Sequence, residues 1–172
     1  MRSLSVLALA VLLSGCQPQP PSTVASAGAT EGKTAVDYSG ETVEGLPIRA
    51  ADYLGKVVLL DFWATWCPPC RAEIPKEKAL VERMKGKPFA LIGISVDESR
   101  NDLRDFLADD PLPWVNISDP ASKISSDWRV TGYPTFVLIG ADGKILNRWI
   151  GGGNSKSIDR AVEAAVAELE AR

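Results

Sequence analysis

Directly behind the apolar run Val57-Val58-Leu59-Leu60-Asp61-Phe62-Trp63, the chain reads Ala64-Thr65-Trp66-Cys67-Pro68-Pro69-Cys70. The run has the length and β-branched content of a buried strand, and Pro68-Pro69 is expected to break it into a turn. From Cys70 to Met84, the residues Ile74, Leu80, Val81 and Met84 recur among Arg71, Glu73, Lys76, Glu77, Lys78 and Glu82, the pattern of an amphipathic helix. Cys67 is thereby placed at a helix N-terminus, where unpaired backbone N–H groups and the positive end of the helix dipole favour a thiolate over a thiol. Lowering a thiol pKa from about 8.5 to about 7 raises the thiolate from a few per cent to about half at neutral pH. Cys70, one turn inward, is positioned to attack a mixed disulfide formed on Cys67. The expected chemistry is dithiol–disulfide exchange, with Cys67 attacking and Cys70 resolving.

The pair has two other readings. A zinc site needs about four ligands, and the chain offers no histidine and one further cysteine, Cys16, so no metal is expected. A structural disulfide would close so small a loop that it constrains the unfolded chain little.

The segment from Lys56 to Pro75, with the later Gly132-Tyr133-Pro134-Thr135 and Ala141-Asp142-Gly143-Lys144, resembles the thioredoxin superfamily and, more narrowly, its extracytoplasmic TlpA/ResA-like thiol–disulfide oxidoreductases. The resemblance runs from about Ala35 to the C-terminus. It implies an α/β, thioredoxin-like fold: a central mixed sheet flanked by helices, with an N-terminal hairpin and a strand–helix insertion. No cofactor is expected.

The residues support that layout. Ala35-Val36-Asp37-Tyr38, Gly40 and Gly45-Leu46-Pro47-Ile48 suggest the hairpin, and Phe89 to Val96 reads as a second buried strand followed by a helical stretch from Asn101 to Ala108. Strand–helix–strand order implies parallel pairing through a right-handed crossover. Trp114, Val115 and Ile117, then Ala121 to Trp128, match the insertion. Thr135 to Ile139 and Lys144 to Ile150 flank a turn at Asp142-Gly143 as an antiparallel hairpin, and Ser155 onward is a closing helix.

Residues 1–15 read as an export signal: a positive start, Leu4 to Leu13 apolar, then Leu13-Ser14-Gly15-Cys16. The run is too short for a permanent membrane span. The last four residues resemble a bacterial lipobox, which implies lipidation of Cys16; the alternative is an ordinary secretory signal. Residues 16–34 are rich in Pro, Gln, Ser, Thr, Ala and Gly and read as a lipid-anchored tether, with a coil reach of about 20–25 Å. Residues 35–172 form one domain. The expected location is the bacterial cell envelope, facing the periplasm or extracytoplasmic space. With a net charge of −3 and no basic cluster, nucleic acid is not an expected partner.

Asp61 interrupts apolar strand positions, and an unpaired buried carboxylate is costly. In thioredoxin the acid six residues before the first cysteine moves the second cysteine's proton, and the resemblance carries that role to Asp61; the other reading is a strand-edge carboxylate in solvent. Glu73 matches the glutamate of the TlpA/ResA group, although a first-turn carboxylate also suits the helix dipole from the surface. Pro75 is expected to kink the helix. By resemblance Pro134 is a cis-proline against the CxxC pair, and the Tyr133–Pro134 backbone could receive an extended substrate segment. Trp66 and Pro68 complete the expected substrate surface, and Trp63 is expected in the core. Neither residue between the cysteines is a histidine, which favours a reducing enzyme. The implied partners are disulfide-bearing exported proteins, apocytochrome c among them, and a DsbD/CcdA-like membrane electron donor. An oxidase or isomerase, and a binding lipoprotein with a structural disulfide, are the competing functions. Peroxidase and copper-chaperone readings lack, respectively, the peroxidatic motif and histidine.

Overall fold

A computed structural model describes residues 32–172; the expected signal segment, most of the tether and the lipidation site Cys16 lie outside the described residues. The fully buried strand β3 (Val57–Trp63) pairs in parallel with β4 (Phe89–Ser95) and antiparallel with β6 (Thr135–Ile139). Around this trio lie β1 (Gly40–Glu41), β2 (Pro47–Ile48), β5 (Val115–Ser118) and β7 (Ile145–Ile150), giving the mixed seven-stranded order β2-β1-β5-β4-β3-β6-β7. The inserted β5 pairs in parallel with β4, and the short β1–β2 hairpin covers its outer edge. Ala35 to Tyr38, read as part of that hairpin, is irregular chain: the Ala35 N–H donates to the Gly143 carbonyl at 2.8 Å, beside the Thr34–Lys144 bridge, and not to the hairpin.

The alternation of β3 divides the interior. Val58, Leu60 and Phe62 face one layer with Ile92, Ile94, Ile117, Val137 and Trp128. Val57 and Leu59 face helix α1 (Pro68–Arg83) through Leu80 and Met84, and helix α4 (Ser155–Glu170) through Ile158, Val162 and Val166. Trp63 continues this second face toward Cys67, Cys70, Ile74 and Leu103, the last from α2 (Arg100–Asp109). A short helix, α3 (Lys123–Asp127), follows β5, with Asp119 accepting from the N–H groups of Ile124 and Ser125.

The α1 helix begins earlier than the sequence suggests. Pro68 and Pro69 are its first helical residues rather than a turn before it, because the first N–H groups of a helix have no internal acceptor and proline forfeits nothing there. Pro75 lies inside α1, which runs on to Arg83.

Candidate active site

Cys67 caps α1: its backbone is extended, and its Sγ accepts the Cys70 N–H at 3.3 Å. The two cysteines are joined by a disulfide with an S–S distance of 2.04 Å and Cα atoms 5.3 Å apart. Both are buried, and their rim is apolar. Trp66 is 62% exposed, with the half-buried Tyr133 ring edge-on at 6.1 Å, and Pro68 is exposed beside them. The Tyr133–Pro134 peptide is cis. Ile150, 41% exposed, approaches Gly132 on the same rim; nothing in its local sequence marks it out.

Two polar locks hold the approach to Cys67. Asp97, buried at the end of β4, accepts the Thr65 N–H at 3.1 Å, the Thr65 hydroxyl at 2.7 Å and the Ser95 hydroxyl at 2.6 Å. Trp63, in the core as expected, donates its indole N–H to Asn116 at 3.2 Å. That bond needs Gly93, since a Cβ there would lie 2.1 Å from Asn116 Oδ1.

Glu73 is buried, 4% exposed, rather than a surface charge. Its Oε1 accepts the Gly153 N–H at 2.7 Å and contacts Lys76 Nζ at 3.0 Å. Gly151 of the same β7–α4 loop donates to the Pro134 carbonyl at 2.7 Å. Glu73 therefore ties the CxxC helix, through this loop, to the cis-proline turn.

Asp61 is 4% exposed and lies inside the protein, not at a solvent-facing edge. It is on the α1-facing side of β3, where its carboxyl meets Glu77, itself 6% exposed. The two groups face each other without full hydrogen-bond geometry: Asp61 Oδ1 and both Glu77 oxygens lack a protein partner. Burial pushes the Asp61 carboxyl up to about 8; the contact with Glu77 opposes that rise and the charge of Glu73 adds to it. Burial, with the nearby charges of Asp61 and Glu73, holds Glu77 well above the usual carboxylate range.

Glu77 was not singled out from sequence. The signal was its spacing, seven residues after Cys70 and three before Leu80, which puts it on the apolar stripe of α1 rather than on the solvated face. The Asp97–Thr65 lock left no such trace, because its partners are 32 residues apart.

Residues 32–148 match the AhpC/TSA family. The chain is 34% identical over 120 residues to the thiol-disulfide oxidoreductase ResA of Bacillus cereus, covering 70% of this chain and 69% of the relative. It is 35% identical over 115 residues to the thiol:disulfide interchange protein HelX of Rhodobacter capsulatus, covering 66% and 62% respectively. A crystal structure of a thiol:disulfide interchange protein, a thioredoxin family protein from Chlorobium tepidum TLS, superposes with a TM-score of 0.69 at 28% identity, covering 81% of this chain and 99% of that one.

Proposed function

The chain belongs to the AhpC/TSA family and, within it, to the thioredoxin-like, TlpA/ResA-like thiol–disulfide oxidoreductases, and on that premise we propose that it is a lipid-tethered reductase of disulfides in exported proteins. The observation that carries this reading is the Cys67–Cys70 disulfide at the N-terminus of α1, with Tyr133 packed against its cluster and Trp66 edge-on to Tyr133. The lipobox-like Leu13-Ser14-Gly15-Cys16 and the tether that follows it support anchoring at Cys16 on the extracytoplasmic side of a bacterial membrane.

The working cycle starts from the dithiol. Cys67, as thiolate, attacks one sulfur of a substrate disulfide; a mixed disulfide forms and the first substrate thiolate leaves. Cys70 then gives up its proton and attacks Cys67 Sγ, breaking the mixed disulfide and releasing the second substrate sulfur as a thiolate. Two electrons pass to the substrate, and Cys67–Cys70 ends as a disulfide. Asp61, on the side of β3 that faces α1, is the proposed acceptor of the Cys70 proton, since a carboxyl held near neutrality can both take and return one. Glu73 acts by position, keeping the cis-proline turn against the CxxC helix. The Tyr133–Pro134 turn and Trp66 receive an extended substrate segment, by backbone pairing and by apolar contact.

An oxidising envelope returns the enzyme to the disulfide, so a reductase needs electrons from a DsbD/CcdA-like membrane donor. The absence of a histidine in the chain leaves Pro68 and Pro69 between the cysteines without a cation to stabilise the Cys67 thiolate, which favours the reducing direction. The test is the reduction potential of Cys67/Cys70 by equilibration with glutathione, with Cys67→Ser as blank. A value near or below about −230 mV is expected; one above about −180 mV overturns the direction in favour of an oxidase or isomerase. A bond that resists exchange at every glutathione ratio overturns the enzyme's proposed role altogether.

A further inference from the structure

We propose that Glu77 is a positioning residue for proton transfer, sharing one proton with Asp61 and carrying protons between that buried acid and the α1–α4 seam. The inference rests on the reading of Asp61 as the proton acceptor of Cys70.

Three observations carry it. Asp61 and Glu77 are both buried and meet face to face, yet Asp61 Oδ1 and both Glu77 oxygens lack a protein partner. Two adjacent carboxylates in a desolvated site do not both ionise readily, so the pair settles with one proton between two oxygens. Second, the charged groups around the pair are otherwise engaged. On α1, Glu73 Oε1 holds Gly153 N–H and Lys76; on α4, Asp159 pairs with Arg83. From the sheet, the register neighbours of Asp61 are Gly93 and Phe136, which do not titrate. Third, Glu77, but not Asp61, lines a small, mostly apolar cavity of about 10 Å³ between α1 and α4. Lys76, Ser155 and Asp159 on the same cavity are partly or wholly exposed. Glu77 thus stands between the sealed acid and the protein surface.

The proton balance closes. When Cys70 attacks Cys67 Sγ, the Cys70 proton passes to the singly protonated pair, which becomes neutral. The pair then releases one proton through Glu77 to the cavity and solvent, while the departing substrate thiolate takes its own proton from water. Re-reduction by the donor reverses the path.

The test follows the Asp61 carboxyl by carbon-detected NMR across pH in the oxidised full chain, in the native protein and in Glu77→Gln. The native carboxyl is expected to titrate in two steps. In Glu77→Gln, with the second carboxyl gone, it is expected to titrate in one step. The pH profile for resolution of a mixed disulfide on Cys67 is expected to move with it. Glu77→Met, which keeps the packing volume without a carboxyl, is expected to show the same one-step titration with an unfolding midpoint no lower than native, separating proton sharing from a loss of fold. Identical Asp61 titration in native and Glu77→Gln proteins overturns the shared proton, even if Asp61→Asn slows resolution. Coupled titration with a resolution rate indifferent to Asp61→Asn overturns instead Asp61's part in the reaction, and the proton route with it.

Discussion

The two faces of β3 are built from one seven-residue run and do opposite things. Val58, Leu60 and Phe62 enter an apolar layer closed by Ile92, Ile94, Ile117 and Val137, with the Phe62 and Trp128 rings 6.0 Å apart. On the other face, Val57 and Leu59 are followed by Asp61 and Trp63, and the layer passes from apolar packing through unpartnered carboxyls to the disulfide. Close packing stabilises the first face. The second gives up stability where Asp61 and Glu77 are buried with oxygens that lack a protein partner, because burial withholds the water that would otherwise keep both charged.

The contrast is tested most severely by pH. Asp61 is raised to about 8 in the folded protein, against an ordinary 3.8 in the unfolded chain. Between those values the folded state holds a proton that the unfolded state has lost. Stability is therefore full below about pH 4 and falls as pH rises to about 8, by about 1.4 kcal/mol per pH unit for one such group. Urea midpoints across that range are expected to drift downward in the native protein and to drift less steeply in Asp61→Asn, where the buried Glu77 remains. A profile equally steep in Asp61→Asn would remove the chemical face's cost from Asp61.

The apolar face has a smaller but sharper expectation. Phe62→Ala should lower unfolding free energy by about 3–5 kcal/mol through lost packing and a cavity. The Cys67/Cys70 potential of the remaining folded protein should be unchanged, as read by glutathione equilibration. A shifted potential would show the two faces to be coupled. Smaller still is Thr65→Val, which removes the hydroxyl donor to Asp97 and should cost about 1 kcal/mol. It sharpens the comparison if the loss of stability comes with an altered rate of attack by Cys67, measured by thiol alkylation, because the lock lies two residues from the nucleophile.

Much of this arrangement was legible in the chain. The strand before Cys67, the helix after it, the 135–150 hairpin and the closing helix follow from apolar periodicity and turn residues, which act locally. Asp61 could be singled out because a carboxylate amid Val, Leu and Phe violates the pattern around it. Glu73 was legible as a residue but not as a contact: its partner, Gly153, is 80 positions away. Glu77 lay among the charged residues of α1; its spacing puts it on the buried stripe, but its meeting with Asp61 exists only once α1 has packed on β3.

The strand, the CxxC pair and the helix it opens follow from hydrophobic period, helix capping and cysteine spacing, which are properties of neighbouring residues; the thioredoxin-like fold as a whole comes from the resemblance of those motifs to that family. Tertiary structure decided which carboxylates are buried together, that Glu73 ties the cis-proline turn to α1 through Gly153, and that Asp97 holds the loop before Cys67. Those outcomes depend on desolvation and on partners 32 to 80 residues apart, and both exist only once the sheet and helices have packed.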